Sequence, residues 1–516
     1  MGKIPADTII ENVSVLTMDP SHPYTKGIAI ANGLIVGLLD DNAVWPLASA
    51  GKRINGEGKT LLPGIIDAHC HLRAQISHNL SVPCGREDVC NIEEIQKAIH
   101  ERAAYTSPGT WIRAAGYDPF YLYERRHPTR LQLDEAAPNH PVRLRHITRH
   151  VSVLNSVALA LAGIGADTPD PPGVNIERDG KTGIPTGIIY GGDAWLSQHI
   201  VPPLAADELQ SGAKLLHQEL LCKGITSVQD ATPSNTAFDV RFWASCIDEG
   251  WTIPIQLMAD IHHYKDVMDY CTDQLTSLQK KRLETGAIKV VMEASPDLSP
   301  DLNELKKIVI EATQQSLPVA IHVVTPEMVW SALEAIRNAQ EMAPDRKIRH
   351  RLEHISLCPD AFLPDMAELQ IMAVTNPSLV HEHGDRYLAD VEQSEHSWLY
   401  LMNSLREAGI PLAAGSDAPV ASFDPWAGIQ AACTRTTNSG KYVNPAEKLS
   451  RYQALEMFTS SAARAAGWET KRGMIRPGLH ADFLLVDRHP LFCPDKQLSR
   501  IQVCQTWIDG TLVFAK

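Results

Sequence analysis

Apolar residues fall along this chain in short blocks bounded by glycine or proline, and several blocks end in a lone polar residue. From Gly224 onward they recur in series: GITSVQD around Ser227, PIQLMAD around Leu257, AIKVVM around Lys289, PVAIHVV around His322 and HRLEHI around Glu353. The step, roughly 30 to 33 residues, is the length of one strand plus one helix. ELQIMAV around Met372 and IPLAAGSD, ending at Asp417, continue the series, and LLPGIIDAH near residue 65 opens it. Short blocks rich in β-branched residues read as buried parallel strands. Eight of them joined by right-handed crossovers predict an α/β fold, a (β/α)8 TIM barrel.

The connecting segments agree. In Pro300–Ser316 the residues Leu302, Leu305, Ile308, Val309 and Ala312 lie at helical spacing, which predicts a helix with Ser299 as its N-cap. Pro326–Met342 has the same period and opens on a proline suited to a first turn. Between the first and second barrel strands the chain is far longer than one unit needs. This predicts an insertion at about 73–201 that contains strand-like TWIRAAG and PVRLRHI and the loop DTPDPPGVNIERDGKTGIPTG. Placed after a barrel strand, it is expected to lie over the C-terminal face and shape the substrate pocket. The ends, 1–62 and 473–516, carry short strands with turn signals and are expected to pair into one small β-sandwich, leaving 63–472 to the barrel and its insertion.

Composition narrows the function without deciding it. The chain has 516 residues, 44% of them hydrophobic and 21% charged, an ordinary globular balance. A net charge of −14 with no Lys/Arg cluster argues against nucleic acid as a partner. MGKIPADTIIENVSV lacks a basic n-region before an apolar core, and Ala6 stands where a myristoylation signal wants Ser or Thr. The stretch from Ile28 to Leu39 is too short and too interrupted to span a membrane. Ten cysteines without a C-x-x-C pair read as reduced thiols. The expectation is a cytoplasmic protein with a small-molecule substrate and no membrane partner.

The chemistry sits at the strand ends. Asp67-Ala68-His69-Cys70-His71 closes the first block, and residues two apart on a strand share a face, so His69 and His71 form a ready chelate for zinc or a similar divalent ion. Among 21 histidines a lone His-x-His carries little weight. His322, His354 and Asp417 end later blocks in the same way, 32 and 63 residues apart, one and two barrel units. That is where barrel enzymes carry catalytic side chains. Lys289 lies inside an apolar strand, where an unpaired ammonium is costly. Either Glu293, four residues on, pairs with it, or the lysine is carboxylated and bridges two metals. As substrate-binding residues, His150 with Asn155 and Tyr117 are candidates from the insertion, against helix-capping, core or turn roles. His381 and His383, after the seventh strand, are candidates near the mouth.

The order His-x-His, Lys, His, His, Asp on successive strands resembles the amidohydrolase superfamily. Longer phrases resemble its amidohydrolase-3, or YtcJ-like, branch, which includes N-substituted formamide deformylases. LLPGIIDAHCH, PTRLQLDEAAPNHPVRL, RHVSVLNSVAL, GITSVQDA, RLEHI, GSDAPVASFDPWAGIQAACTR and GMIRPGLHADFLLVD carry the resemblance over nearly the whole chain. It implies that His69 and His71 hold one metal with Asp417. A carboxylated Lys289 (N6-carboxylysine) would bridge to a second metal held by His322 and His354. Metal binding lowers the pKa of water from about 15.7 to about 7 and so supplies hydroxide as nucleophile. Asp417 would be the catalytic general base and then acid.

The reaction so implied is hydrolysis of a non-peptide C–N bond in a linear or cyclic amide such as an N-substituted formamide. An ester or lactone, a deaminated ring or a decarboxylated acid would suit the same site. A non-catalytic barrel kept as an assembly or binding protein is the reading from another class, and the six polar groups at one barrel mouth speak against it. A homodimer is expected from the family alone. The chain departs from the family pattern at Glu293-Ala294, where Asp-Gly is usual, and at Thr325-Pro326, where Gly-Asp is frequent.

Overall fold

The computed structural model describes residues 3–40, 44–171, 173–294 and 298–516. The chain divides into two compact units, Met1–His71 with Lys214–Lys516, and Leu72–Ala213.

In the larger unit eight parallel strands are hydrogen-bonded in chain order: Ile65–Cys70, Ile225–Asp230, Ile255–Ala259, Leu283–Val290, Val319–Val323, Arg351–His354, Met372–Thr375 and Leu412–Ala414. They are the eight blocks of the sequence pattern. Buried on both faces, they have no polar side to show, which is why the blocks are apolar throughout rather than alternating. Between the last strand and the first, closure comes from the residues just beyond the last strand. Asp417 N–H donates to the carbonyl of His69 (2.7 Å), and His71 N–H donates to that of Ala418 (2.9 Å). His69, His71 and Asp417 thus sit on the backbone bonds that close this TIM-like barrel.

Helices cover the strands with their apolar stripes. Leu302–Gln314 buries Leu305, Val309 and Ala312, and Pro326–Met342 buries Met328, Val329, Ala332, Leu333 and Ile336. The first of these is capped differently from the sequence expectation. Asp301 takes the N-cap, its carboxylate accepting from the N–H groups of Asn303 (2.8 Å) and Glu304 (2.9 Å). Glu304 reaches back to complete a capping box. Ser299 instead pairs with Glu293 in a two-stranded hairpin.

The chain ends meet in one eight-stranded mixed sheet. Val503–Ile508 pairs with Phe483–Val486, which pairs in turn with Thr60–Pro63. The sheet then continues through Ala6–Leu16, Tyr24–Ala31 and Leu34–Leu38. It curls: Ile35 N–H donates to the carbonyl of Leu479, and Gly478 N–H donates to that of Ile35 (2.9 and 2.8 Å). Ile10, Ile28, Ile35, Leu61, Phe483 and Trp507 share one core there.

The Leu72–Ala213 unit has its own six-stranded sheet, in which Ile112–Tyr117 and Val142–His146 are parallel neighbours. These are the two strand-like runs of the predicted insertion. Helix Ile92–Ala104 lays Ile92, Ile95 and Ile99 into a core with Val142 and Leu144. Among the described residues no helix is long and apolar enough to cross a membrane.

Candidate metal centre

Strands one and eight meet through a buried carboxylate. Asp67 accepts from the N–H of His69 (3.1 Å), the N–H of Ser416 (2.9 Å) and the hydroxyl of Ser416 (2.6 Å). Burial pushes its carboxyl up to about 6, with the Ser416 bonds pulling the other way. Gly415 permits the close passage of the two strands, since a β-carbon there would lie 2.5 Å from both Cβ and N of His69. Three residues of the mouth hold left-handed backbone, His354 (φ 69°), Ile355 (φ 53°) and Asp417 (φ 59°). Each costs on the order of 1–3 kcal/mol for a non-glycine residue, and such positions cluster where function demands a particular side-chain direction.

Those backbones gather the predicted residues. His71 Nε2 lies 3.2 Å and His69 Nε2 3.5 Å from Asp417 Oδ1. One ligand atom from each of the three lies within 4.8 Å of the others. The imidazoles continue as a row, with ring centroids 4.7 Å apart from His69 to His354 and 4.6 Å from His354 to His322. Lys289 is buried close enough for its charge to act on His69 and His354, and among the described residues its Nζ makes no hydrogen bond. Pairing with Glu293 is not made: Glu293 is exposed in the hairpin beyond the strand.

The electrostatics favour neutral imidazoles beside an ionised carboxylate. Burial, helped by the Lys289 charge, lowers His69 to about 3. Burial also lowers His354, and brings Lys289 down to about 8 against the pull of Glu353 and Asp417. For Asp417 burial alone would raise the pKa. The hydrogen bond to His71, followed by the electrostatic pull of the His354, His69 and His71 imidazoles, outweighs it and holds the carboxyl well below its usual range.

A second layer of side chains fixes the rings. Glu353 Oε2 lies 2.5 Å from His69 Nδ1, both fully buried, and Arg351 clamps the two Glu353 oxygens at 2.5 and 3.0 Å. Thr232 Oγ1 lies 3.0 Å from His71 Nδ1, and Asn376 Oδ1 lies 2.7 Å from His354 Nδ1. With Nδ1–H of His69 given to the carboxylate, the lone pair stands on Nε2, a buried atom with no hydrogen-bond partner among the described residues. Two imidazole nitrogens and a carboxylate oxygen around such an atom are a donor set that suits a divalent metal. Sequence reasoning missed Glu353, Arg351, Thr232 and Asn376. The available signal was Arg351-x-Glu353, two charges on one face of a strand that is otherwise apolar.

Of the remaining candidates, Tyr117, Asn155, His381 and His383 have framework partners. Tyr117 is buried with its Oη 2.9 Å from His127 Nδ1, while His150 is exposed. The amide of Asn155 is spent: Oδ1 accepts from Val142 N–H (2.9 Å) and caps the helix Ser156–Leu161 through Ala158 N–H (3.0 Å), and Nδ2 donates to the carbonyl of His140 (2.8 Å). The helix-capping alternative is the one this side chain fills. His381 Nδ1 lies 2.9 Å from the carbonyl of Thr436, and His383 Nε2 lies 2.9 Å from that of Val420, three residues past Asp417.

A closed parallel barrel with four imidazoles, a lysine and a carboxylate at the C-terminal ends of its strands has the constitution of a barrel enzyme. Residues 52–514 match the Amidohydrolase family, and the chain belongs to it. It is similar to the N-substituted formamide deformylase of Arthrobacter pascens, 29% identical over 99% of this chain and 98% of that protein. It is also similar to the putative amidohydrolase YtcJ of Bacillus subtilis, 26% identical over 97% and 98%. Among solved structures, an uncharacterized metal-dependent hydrolase of Pyrococcus horikoshii superposes with a TM-score of 0.75 at 21% identity, covering 95% of this chain and 99% of that one. At that identity the likeness speaks for the fold.

Proposed function

We propose that the chain hydrolyses a non-peptide C–N bond in a linear or cyclic amide, with an N-substituted formamide as the first substrate to try. One observation carries this reading: the buried Nε2 of His69, without a hydrogen-bond partner among the described residues, faces Asp417, beside His71, in a site whose outer bonds are already made. The end-to-end similarity to a formamide deformylase supports the substrate class.

In this reading His69, His71 and Asp417 hold a divalent ion, zinc in the first instance. His322 and His354, with Lys289 as N6-carboxylysine, would hold a second. The lysine amine forms an N–C bond to CO2 and releases one proton. When bound, the metal supplies Lewis acidity towards water and the substrate carbonyl. Asp417, kept ionised by its neighbours, accepts the proton of the attacking water and returns it to the leaving nitrogen, so that the amine departs neutral. Glu353 keeps the His69 tautomer fixed throughout.

A screen of metal-loaded protein against formamides, hydantoins, other amides, lactones and amino-heterocycles tests the proposal. Turnover of a formamide or another amide is the expected result. Turnover confined to lactones or amino-heterocycles would transfer the same site to another bond. Protein that neither holds metal nor gains activity from it would support the non-catalytic barrel.

A further inference from the structure

The Leu72–Ala213 unit holds a concentration of charge that lies outside the metal-ligand set. Arg143 and Arg145 alternate on the strand Val142–His146 and so share a face, and Arg149 follows in the turn. All three converge on one carboxylate. Arg143 Nη2 and Arg145 Nε lie 2.6 and 2.9 Å from Oδ1 of Asp193, and Arg149 Nη2 lies 2.7 Å from Oδ2. Arg113 adds its charge to the group while donating to the carbonyl of Pro202, with Glu208 as the carboxylate that acts on it.

The three contacting arginines are not equivalent. Arg143 is buried and spent, with further bonds to the hydroxyls of Ser152 and Ser197. Arg145 is different. Its side chain is 14% exposed, its Nε meets Asp193 off the hydrogen-bond angle, and its terminal nitrogens have no hydrogen-bond partner among the described residues. Arg149, 28% exposed, spends one nitrogen on Asp193. The half-buried imidazole of His78 feels both Arg145 and Arg149, with Asp88 opposing them.

Three guanidinium groups against one carboxylate leave a surplus of two positive charges, and guanidinium does not shed its proton. Both oxygens of Asp193 are already engaged, so the surplus falls on the free forks of Arg145 and Arg149. A rigid, partly desolvated fork of this kind matches a planar or tetrahedral oxyanion. We propose that Arg145 and Arg149 form a binding site for a small molecule bearing a carboxylate or phosphate group.

Phenylglyoxal labelling of the whole wild-type chain, mapped by peptide mass, tests this. In chloride Arg145 and Arg149 label. Inorganic phosphate or acetate at the same ionic strength slows both several-fold and saturably, and the anion that protects at the lower concentration identifies the head group. In parallel, Arg145→Met loses the saturable rise in melting temperature that the anion gives the wild type. Equal labelling in all three salts overturns the site, and so does an anion-induced melting shift unchanged in Arg145→Met. Should that variant fail to fold, the wild-type labelling pattern decides alone.

Discussion

At His69 the two ring nitrogens have opposite environments: Nδ1 meets Glu353, and Nε2 meets no hydrogen-bond partner among the described residues. An outer carboxylate of this kind sets the tautomer and raises the ring's basicity toward a metal, an effect usually worth about 10–100-fold in affinity. Glu353→Gln should therefore weaken metal binding by about that factor, read by competition with a chromogenic chelator. Unchanged affinity would remove Glu353 from the site. Lys289→Ala should lose activity that short carboxylic acids plus metal partly restore, and failure of that rescue would count against the carbamate. The six mouth residues were legible because each ends or interrupts an apolar block at a fixed step. Glu353 stands one residue before His354 in the same phrase, yet its partner is 284 residues away, and local pattern carries no information about such a pairing.

The strands were legible as elements for a physical reason: parallel strands covered on both faces must be apolar throughout, and the step between them is set by one crossover. What local pattern missed is how elements end and join. The cap of Leu302–Gln314 moved from Ser299 to Asp301 because Asp301 with Glu304 satisfies the backbone donors of the first turn. The pairing of Thr60–Pro63 with Phe483–Val486 joins the two ends of the chain, a partnership no local period can specify. Closure of the barrel depends on strand eight passing tightly over His69 at Gly415. Gly415→Ala should push these strands apart, costing on the order of 1–3 kcal/mol in urea unfolding and lowering metal affinity at the same time. An alanine variant with wild-type stability and wild-type metal affinity would show that this approach does not govern the site.

For the molecule as a whole, stability should depend on pH through histidines buried in neutral form. His350, at the start of strand six, accepts from Val319 N–H at Nδ1 (3.2 Å) and faces Thr313 Oγ1 across Nε2 (3.3 Å). Burial lowers it to about 4. Its folded pKa lies below the unfolded value of about 6.5, so its contribution is complete above that pH and is lost as pH falls from about 6.5 towards about 4. The loss amounts to about 3 kcal/mol at most. His350→Gln should flatten the decline in urea midpoint between neutral pH and pH 5, and an identical slope in wild type and variant would contradict the assignment. The central claim, that the buried His69, His71 and Asp417 hold a metal on which hydrolysis depends, is tested most directly by counting metal per chain in purified wild type, His69→Ala and Asp417→Asn by mass spectrometry. About one to two equivalents of divalent ion in the wild type, with loss of at least one in each variant while the fold persists, is the predicted result. Wild type that neither holds nor takes up metal, or variants that retain the full complement, would contradict it.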